Sequence, residues 1–548
     1  MFLRTKSVEG RTYLVLVESQ RVEGRVKQKV VARLGRLDEL IATGQLDRML
    51  ATLGQYSEKY AVLGEHAKGN AVRVRARTIG PALVFERLWK DLGIDRVLTE
   101  MASDRRFAFE LERATFLTVL HRLFASGSDR VGQKWKTDYA IEGAEGLALH
   151  QMYRCMGWLG EVLEERGEGD GVFAVRTRKD LIEEALYERR RDLFSDLDMV
   201  FYDTTSVYFE GEGGEALGQR GHSKDHRPDL KQMVVGAVLD GDGRPLCSQM
   251  WPGNTADVKT LVPVIERMRS RFGAQRLCAV ADRGMISQEV IEHLEQSGCG
   301  YILGARMRST EEVRYQVLEH KGRFEQVHPR DADPKAPSAL KVKDVWIGER
   351  RYVVCLNESQ AEKDRHDREA IVQALEAALK RGDKALIGNN GYRKFLKTRG
   401  PHFEIDHNKI EQEARFDGKW VLRTNLDLPA REIALKYKQL WQVEAIFRTM
   451  KSQLATRPIF HKCDDTIRGH VFCSFLALLL RDELQRRLQA KNWQFEWADV
   501  LRDLDQLQEI ELRVQDKDYV MRTEAKGAAG KVFQACGVAL PPTLRPAT

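Results

Sequence analysis

The segment PAREIALKYKQLWQVEAIFRTMKSQLATRPIFH, residues 429–461, carries the clearest helical pattern in the chain. At 3.6 residues per turn, Tyr437, Glu444 and Lys451 fall on one polar stripe. A second stripe, directly beside the first, is apolar and consists of Leu440, Val443, Phe447, Met450 and Leu454. The pattern predicts one continuous helix that packs on a core and holds Glu444 at the edge of that core.

Glu444 alone admits two interpretations. On an exposed face, Glu444 and Arg448 form a common solvated ion pair at the i, i+4 spacing. Beside other acids, the same carboxylate would be a metal ligand. The choice depends on whether the rest of the chain supplies such acids.

The length of the chain, its apolar runs and its cysteines limit the class of protein to which it can belong. The 548 residues allow about three or four domains and a sizeable core. The apolar run Val471–Leu480 is too short to span a bilayer, and the N-terminus lacks the apolar segment of a secretory signal. The eight cysteines show no pair at zinc-ligand spacing, which is typical of small core residues in a reducing compartment. We therefore expect a cytoplasmic protein without a membrane partner.

Positive charge is concentrated in two places. The formal net charge is +7, but residues 1–36 hold nine Lys or Arg against three Glu, and residues 431–462 hold seven against two. Two local basic regions indicate a polyanionic partner more strongly than the total does. Residues 11–34 also read as a basic β-hairpin, which could lie along phosphates or could simply be a solvated edge strand carrying Lys against aggregation.

A mixed β-sheet is predicted to begin at Leu197. The runs LDMVFYDTTSVYF, KQMVVGAVLD and RPLCSQMW predict a three-stranded antiparallel meander, and alternating helices and strands follow it. Asp203 lies in the first strand, and Asp282 ends the later buried strand RLCAVAD. Because these two strands can be neighbours, we expect the two carboxylates to lie together near one edge of the sheet.

Asp203, Asp282 and Glu444 can form a carboxylate cluster. Three carboxylates from three elements repel one another unless cations neutralise them, and an oxygen-only ligand set favours Mg²⁺ or Mn²⁺. Two such ions can activate a water or a 3′ hydroxyl for in-line phosphodiester displacement. Taken separately, each Asp is more simply a turn former at a strand end.

Four blocks of sequence resemble the signature blocks of DDE transposases from bacterial insertion sequences. They are DTTSVYFE at 203–210, GHSKDHRPDLKQ at 221–232, ADRG at 281–284 and YKQLWQVEAIFRTMK at 437–451. The resemblance is to the large group related to insertion sequence four, in which a β-rich insertion precedes the catalytic Glu. The 162 residues between Asp282 and Glu444, against 79 between Asp203 and Asp282, leave room for that insertion.

The helix motif of that group is Tyr, two residues, Arg, three residues, Glu, six residues, Lys. Tyr437, Glu444 and Lys451 match it in type and spacing, but Leu440 occupies the Arg position. In the family the Tyr and Lys contact DNA near the cleaved end. Arg448, on the same stripe, is a candidate to replace the missing cation.

The resemblance implies an α/β chain with a ribonuclease H-like core. It implies that Asp203, Asp282 and Glu444 bind two Mg²⁺ ions, for which Mn²⁺ can substitute. The implied reaction is cleavage at the ends of a mobile element followed by attack of the freed 3′ hydroxyl on target DNA. The partners would be double-stranded DNA and a second copy of the chain, because cutting two ends in concert needs two active sites.

Six further residues are candidates for DNA contact. Trp420 in the insertion is either a base-stacking residue or an ordinary core tryptophan. The polar loop after the first strand contributes His222, Lys224, His226 and Arg227, which favour phosphate contact over a zinc pair. His461, in a basic stretch, either touches DNA or caps structure.

The changes of pattern predict six regions. They are a basic DNA-binding hairpin and helix (1–65), a helical DNA-binding or dimerisation region (66–195), the first part of the catalytic core (196–306), the β-rich insertion (307–428), the C-terminal helices of the core (429–492) and a frayed tail (493–548).

Three rival functions remain open at this point. One is a ribonuclease H-fold nuclease without strand transfer, and another is a non-catalytic DNA-binding protein derived from a transposase. The presence of all three acids counts against the second, since a binder has no need of them. A metal phosphatase acting on small molecules fits poorly with the basic hairpin and the large accessory regions.

Overall fold

A computed structural model of the chain describes residues 1–22, 25–54, 56, 73–163, 176–191, 197–330, 337–380, 394–399, 402–514 and 517–547. The chain divides into two compact units. The first contains residues 1–81, 138–140 and 495–548, and the second contains residues 82–137 and 141–494. The boundaries predicted at 65/66 and 195/196 fall outside the described residues.

The first unit begins with a three-stranded antiparallel sheet. Strands β2 (Arg11–Val22) and β3 (Arg25–Arg36) form the predicted hairpin, and β1 (Phe2–Val8), which the sequence pattern did not reveal, pairs with β2. Two short helices follow, α1 (Leu37–Ala42) and α2 (Gln45–Gly54).

The C-terminal residues belong to the same unit, and the expectation of a frayed tail was wrong. A second antiparallel sheet has the order β18-β17-β16-β4. Its strands are β4 (Arg73–Thr78), β16 (Gln508–Val514), β17 (Lys517–Arg522) and β18 (Leu544–Pro546). Helices α16 (Trp497–Asp505) and α17 (Ala529–Cys536) lie in this region. Leu512 and Tyr519 are buried together, with Ile510 and Leu544 packed against them, so this segment has an apolar cluster of its own.

The second unit opens with the predicted helical region. Its helices are α3 (Gly80–Asp91), α4 (Ile94–Ala102), α5 (Leu111–Phe124), α6 (Asp129–Trp135), α7 (Leu149–Leu159) and α8 (Arg178–Arg190). Helix α5 is buried on nearly all sides. It packs against α7 and the long apolar helix α15 (Asp464–Gln489).

The mixed sheet has the predicted topology. Strands β5 (Met199–Tyr208), β6 (Gln232–Asp240) and β7 (Pro245–Pro252) form the antiparallel meander. Strand β8 (Cys278–Ala281) runs parallel to β5, and β9 (Gly300–Gly304) runs parallel to β8. The order 7-6-5-8-9, with three antiparallel strands followed by two parallel ones, is that of a ribonuclease H-like core.

Helices cover both faces of this sheet. Helices α9 (Leu261–Phe272) and α10 (Gln288–Gln296) pack on one face, where Val200, Tyr202, Ala279 and Ala281 are buried. Because side chains alternate along a strand, the residue after Tyr202 and the residue after Ala281 point to the opposite face. Helices α13 (Ala430–Lys438) and α14 (Trp441–Ser452) contact the central strands there.

The insertion extends the same sheet. Its strands are β10 (Glu325–His328), β11 (Leu340–Ile347), β12 (Arg350–Leu356) and β15 (Lys419–Thr424). They continue the sheet from β9 in the order β9-β15-β12-β11-β10, all antiparallel. A small hairpin of β13 (Leu396–Arg399) and β14 (His402–Ile405) lies between helices α11 (Glu358–Lys380) and α12 (His407–Ala414).

The helix predicted over residues 429–461 is two helices, which corrects the single continuous stripe. Helix α13 ends at Lys438 and α14 begins at Trp441. In between, the N–H of Leu440 donates to the carbonyl of Tyr437 at 3.0 Å, a tighter three-residue spacing. The apolar stripe is nevertheless buried as predicted, including Leu440 at 6% exposure. Tyr437 therefore lies on a different helix from Glu444.

Within the described ranges, none of the helices combines the length and the apolar character that a bilayer-spanning segment needs.

Candidate active site

Asp203 and Asp282 lie side by side at the centre of the sheet. Tyr202 of β5 pairs with Ala281 of the parallel strand β8, and each aspartate is the next residue along its strand. Both follow residues of the α9–α10 face, so both carboxylates point toward the face of α13 and α14. This is the juxtaposition that the sequence pattern predicted.

The Asp203 carboxyl resists ionisation. Its pKa is raised to about 6, chiefly by burial; the neighbouring carboxylates of Asp282 and Asp257 also raise this pKa, while Lys224 and the backbone N–H of Thr204 lower it. That N–H donates to Asp203 Oδ1 at 2.7 Å. A bound cation would neutralise the repulsion between these carboxylates in their partly buried site.

Asp257 is a third acid that the sequence analysis missed. Its Oδ1 accepts a hydrogen bond from the Thr204 hydroxyl at 2.7 Å, and its Oδ2 lies 3.0 Å from Lys224 Nζ. The same ammonium donates to the Thr204 carbonyl oxygen at 2.8 Å. Asp257 therefore holds Lys224 beside Asp203. In sequence it resembles an ordinary acid in the first turn before a helix, which gave no signal of this role.

Tyr437 contacts the second aspartate directly. Its hydroxyl donates to Asp282 Oδ1 at 2.9 Å, and burial together with that carboxylate raises the pKa of the phenol well above its usual range. The hydroxyl fits because residue 304 is glycine: a Cβ there would lie 2.6 Å from it. Gly304 thus allows α13 to bring Tyr437 against the end of β8.

A cleft of about 780 Å³ opens beside Asp282. Its walls include Asp257, Asp282, Tyr437 and Trp420. Cationic or polar side chains also line it, namely His222, Lys224, Arg283, Arg306, Arg308 and Lys419. The insertion therefore contributes part of the wall of this cleft, called the acidic cleft below after Asp257 and Asp282, and cationic side chains line it as well.

The loop after β5 is fixed to the helix segment by a buried ion pair. Asp225 Oδ1 lies 2.8 Å from Lys451 Nζ and 2.8 Å from an Arg457 guanidinium nitrogen. The Asp225 side chain is 6% exposed, and that of Lys451 is 12% exposed. Burial lowers the pKa of the Lys451 ammonium although Asp225 stabilises its charge. Lys451 thus anchors the loop in this structure.

The remaining loop candidates are exposed. His222 lines the cleft, and His226 adopts a left-handed backbone with φ +57°. Arg227 pairs with Asp229 at 2.9 Å and lies over the ring of Tyr208. As predicted, the two histidines occupy a non-helical loop.

Glu444 and Arg448 are exposed on the first turns of α14, beside β5 and β6. Among the described residues, neither side chain forms an ion pair, so the solvated i, i+4 pair is not present. Both belong to the helix that covers the face of Asp203 and Asp282. The structure does not bring the Glu444 carboxylate into a close group with the two aspartates.

His461 lies in a different environment from the other candidates. Its side chain is 15% exposed, its Nε2 is 3.6 Å from Asp129 Oδ2, and its ring packs against Tyr153. It does not line the acidic cleft.

The two adjacent aspartates fit a hard divalent cation. Asp203 and Asp282 offer carboxylate oxygens from neighbouring strands, and oxygen ligands are those that such a cation prefers. A ribonuclease H-like sheet with paired aspartates on adjacent central strands defines a metal-dependent polynucleotidyl transferase.

Family models agree with this class. One described as "Transposase DDE domain" matches residues 195–480, and one described as "IS1634 family transposase, N-terminal domain" matches residues 3–65. The first match covers more than half of the chain, so the chain belongs to the DDE transposases. Its residues 3–65 are similar to the N-terminal domain of IS1634 family transposases. DDE chemistry depends on divalent metal ions.

Other comparisons add less. A piggyBac transposase synaptic complex with hairpin DNA, determined by cryo-EM, aligns with a TM-score of 0.37 and 9% identity over 78% of this chain and 79% of that chain. A similarity this low carries no argument about this chain. No curated protein sequence matches.

Proposed function

We propose that this transposase cuts DNA at the ends of its element and joins the freed 3′ hydroxyl to target DNA. The adjacent carboxylates of Asp203 and Asp282 carry this proposal, together with the cationic side chains that line the cleft beside Asp282. Asp203, Asp282 and Glu444 are the proposed ligands of two Mg²⁺ ions. When bound, such ions lower the pKa of a nucleophile and stabilise a leaving oxygen.

The protein's own residues prepare the site. Tyr437 holds Asp282 in one orientation through its hydroxyl, and Asp257 holds Lys224 where its ammonium offsets the charge of Asp203. Glu444 lies on the helix that covers these residues, and we propose that its exposed side chain turns toward them when a cation and DNA are bound.

DNA contacts are proposed for the cations and aromatics around the cleft. Phosphates would meet His222, Lys224, His226, Arg227, Arg448 and Lys451. Arg448 is exposed and forms no ion pair with the residues that the structure describes, whereas Leu440, at the position of the family's Arg, is buried in the helix break. These facts support Arg448 as the replacement cation. His461 has less support, because its side chain contacts Asp129 and Tyr153.

Trp420 is proposed to stack on a base at the cut end. It is partly exposed and lines the same cleft as Asp282. Base stacking on an aromatic ring contributes about 1–3 kcal/mol, so Trp420→Ala should weaken binding of a pre-cut end by about 5- to 150-fold. The fluorescence of a 2-aminopurine placed beside the cut should increase less when the variant binds than when the native protein binds. Trp346→Ala, at an exposed tryptophan of β11 outside the cleft, should behave as native; equal signals from all three proteins would remove Trp420 from the site.

The proposed function is tested by incubating full-length protein with labelled DNA carrying the element's own ends and a target plasmid. Mg²⁺-dependent cutting and joining is expected, with none in EDTA. Cutting without joining would favour the nuclease without strand transfer. Binding without cutting would favour the DNA-binding protein. Paired-end complexes containing two protein copies are expected, since each copy supplies one active site.

The wider grouping of this chain with transposases related to insertion sequence four stays a prediction.

A further inference from the structure

Three potential metal ligands lie together outside the acidic cleft: Asp129, His461 and His470. Asp129 begins α6, His461 follows α14, and His470 lies within α15. One donor atom from each lies within 4.8 Å of the other two. In the part of the chain that the structure describes, this is the one group of three such ligands so close together.

The donor distances suit a single ion. His461 Nε2 lies 3.2 Å from His470 Nδ1 and 3.6 Å from Asp129 Oδ2. Zinc bonds of about 2.0–2.2 Å in tetrahedral geometry place neighbouring ligand atoms roughly 3.3 Å apart. Two of the three pairs already have this spacing, and the third, between His470 and Asp129, lies within 4.8 Å and would have to shorten for the three side chains to share one cation.

The hydrogen bonds orient the histidine correctly for binding. His470 Nε2 lies 3.1 Å from the carbonyl oxygen of Thr456. A carbonyl can only accept, so Nε2 carries the proton and Nδ1 keeps its lone pair for an acceptor or ligand role. A backbone carbonyl on the non-ligating nitrogen is the usual outer contact of a metal-bound histidine.

The group is buried but close to the surface. Asp129 is 5% exposed and His470 is 8% exposed. Tyr153, packed on His461 and 38% exposed, places the group near the protein surface.

Arg122 is the competing group. In the absence of metal its guanidinium donates to His470 Nδ1 at 2.9 Å and to Ser474 Oγ at 3.0 Å. It also lies 3.9 Å from Asp129 Oδ1, the oxygen that does not face His461. An ion bound to His470 Nδ1 has to displace the hydrogen bond from Arg122 to that atom. Arg122 can keep its hydrogen bond to Ser474 and its position beside Asp129.

We propose that Asp129, His461 and His470 bind one zinc-type divalent transition-metal ion that links α6, the segment after α14 and α15. The imidazole and carboxylate donors suit zinc or cobalt better than Mg²⁺. The ion would fasten the segment that carries Arg457 to the helical region.

The test uses full-length protein stripped with EDTA and returned to excess Mg²⁺, so that oxygen-only sites are filled. Co²⁺ is added as a spectroscopic probe and Zn²⁺ as a competitor. We expect about one Co²⁺ per chain with visible d–d absorption that Zn²⁺ abolishes, and a rise in Tm with Zn²⁺. His461→Gln should lose the absorption and the Tm rise.

Two controls keep the result interpretable. His293→Gln, at a histidine of α10 with 37% side-chain exposure and outside the group, should bind Co²⁺ as the native chain does. Circular dichroism checks that His461→Gln is folded; if it is not, Asp129→Asn replaces it. No Co²⁺ absorption in the native protein, or unchanged absorption in the folded variant, would overturn the proposal and leave a metal-free network around Arg122.

Discussion

Asp203→Asn is expected to lower the rates of end cutting and joining by roughly 10³-fold or more while leaving the chain folded. Asparagine keeps nearly the same shape, and its amide oxygen can still accept the Thr204 N–H. It removes the charge that the proposed metal site needs. Asp282→Asn should have an effect of the same order, because the two carboxylates act together on adjacent strands.

The measurement is the initial rate of cutting on labelled end DNA, with DNA binding measured in parallel. Asp242→Asn is the matched control, since Asp242 lies in the exposed turn between β6 and β7 and lines no part of the acidic cleft. Native-like cutting by Asp203→Asn would remove that residue from the chemistry.

Arg267→Met is expected to have the largest effect on stability, about 3–5 kcal/mol. Arg267 of α9 lies 3.1 Å from an Asp180 oxygen and 2.9 Å from a Glu183 oxygen of α8. Lys179 completes the cluster, and all four side chains are at most 8% exposed. Removing the guanidinium leaves two buried carboxylates facing one ammonium. The measurement is the denaturant midpoint of unfolding of the full chain.

The effect should depend on pH with a definite sign. Burial opposes ionisation of Asp180, but Arg267 and Lys179 outweigh it and lower its pKa below the ordinary 3.8. A lowered carboxyl pKa adds stability above about pH 4, and that stability is lost as the pH falls further. The gap between native and Arg267→Met should therefore be largest near neutral pH and shrink in acid.

Arg271→Met is the matched control for this variant. Arg271 also lies on α9, but it is 28% exposed and 3.8 Å from its partner Glu184, so a loss under about 1 kcal/mol is expected. Equal destabilisation by both substitutions would contradict a special role for the buried cluster.

The strands and the two aspartates were predictable because buried strands have strong local signals. The runs around Asp203 and Asp282 are apolar and β-branched, and their order along the chain predicts a sheet in which β5 and β8 are neighbours. The apolar stripe of α14 was predictable for the same reason.

Other features depend on contacts between residues distant in sequence. The helix break at residues 439–440 leaves the apolar periodicity intact, so the pattern of residues 429–461 could not reveal it. The role of Asp257 depends on Lys224 reaching it from another loop. The C-terminal segment looked frayed because its strands pair with β4, more than 400 residues earlier in the chain.

The most direct test of the account compares native protein with Glu444→Gln on labelled end DNA, in Mg²⁺ and in EDTA. Glu432→Gln, on the preceding helix α13, is the matched control. The account predicts metal-dependent cutting and joining by the native and control proteins, and their loss in Glu444→Gln with DNA binding retained. Cutting by Glu444→Gln at the native rate would contradict it and leave Glu444 as a solvated residue on an exposed helix face.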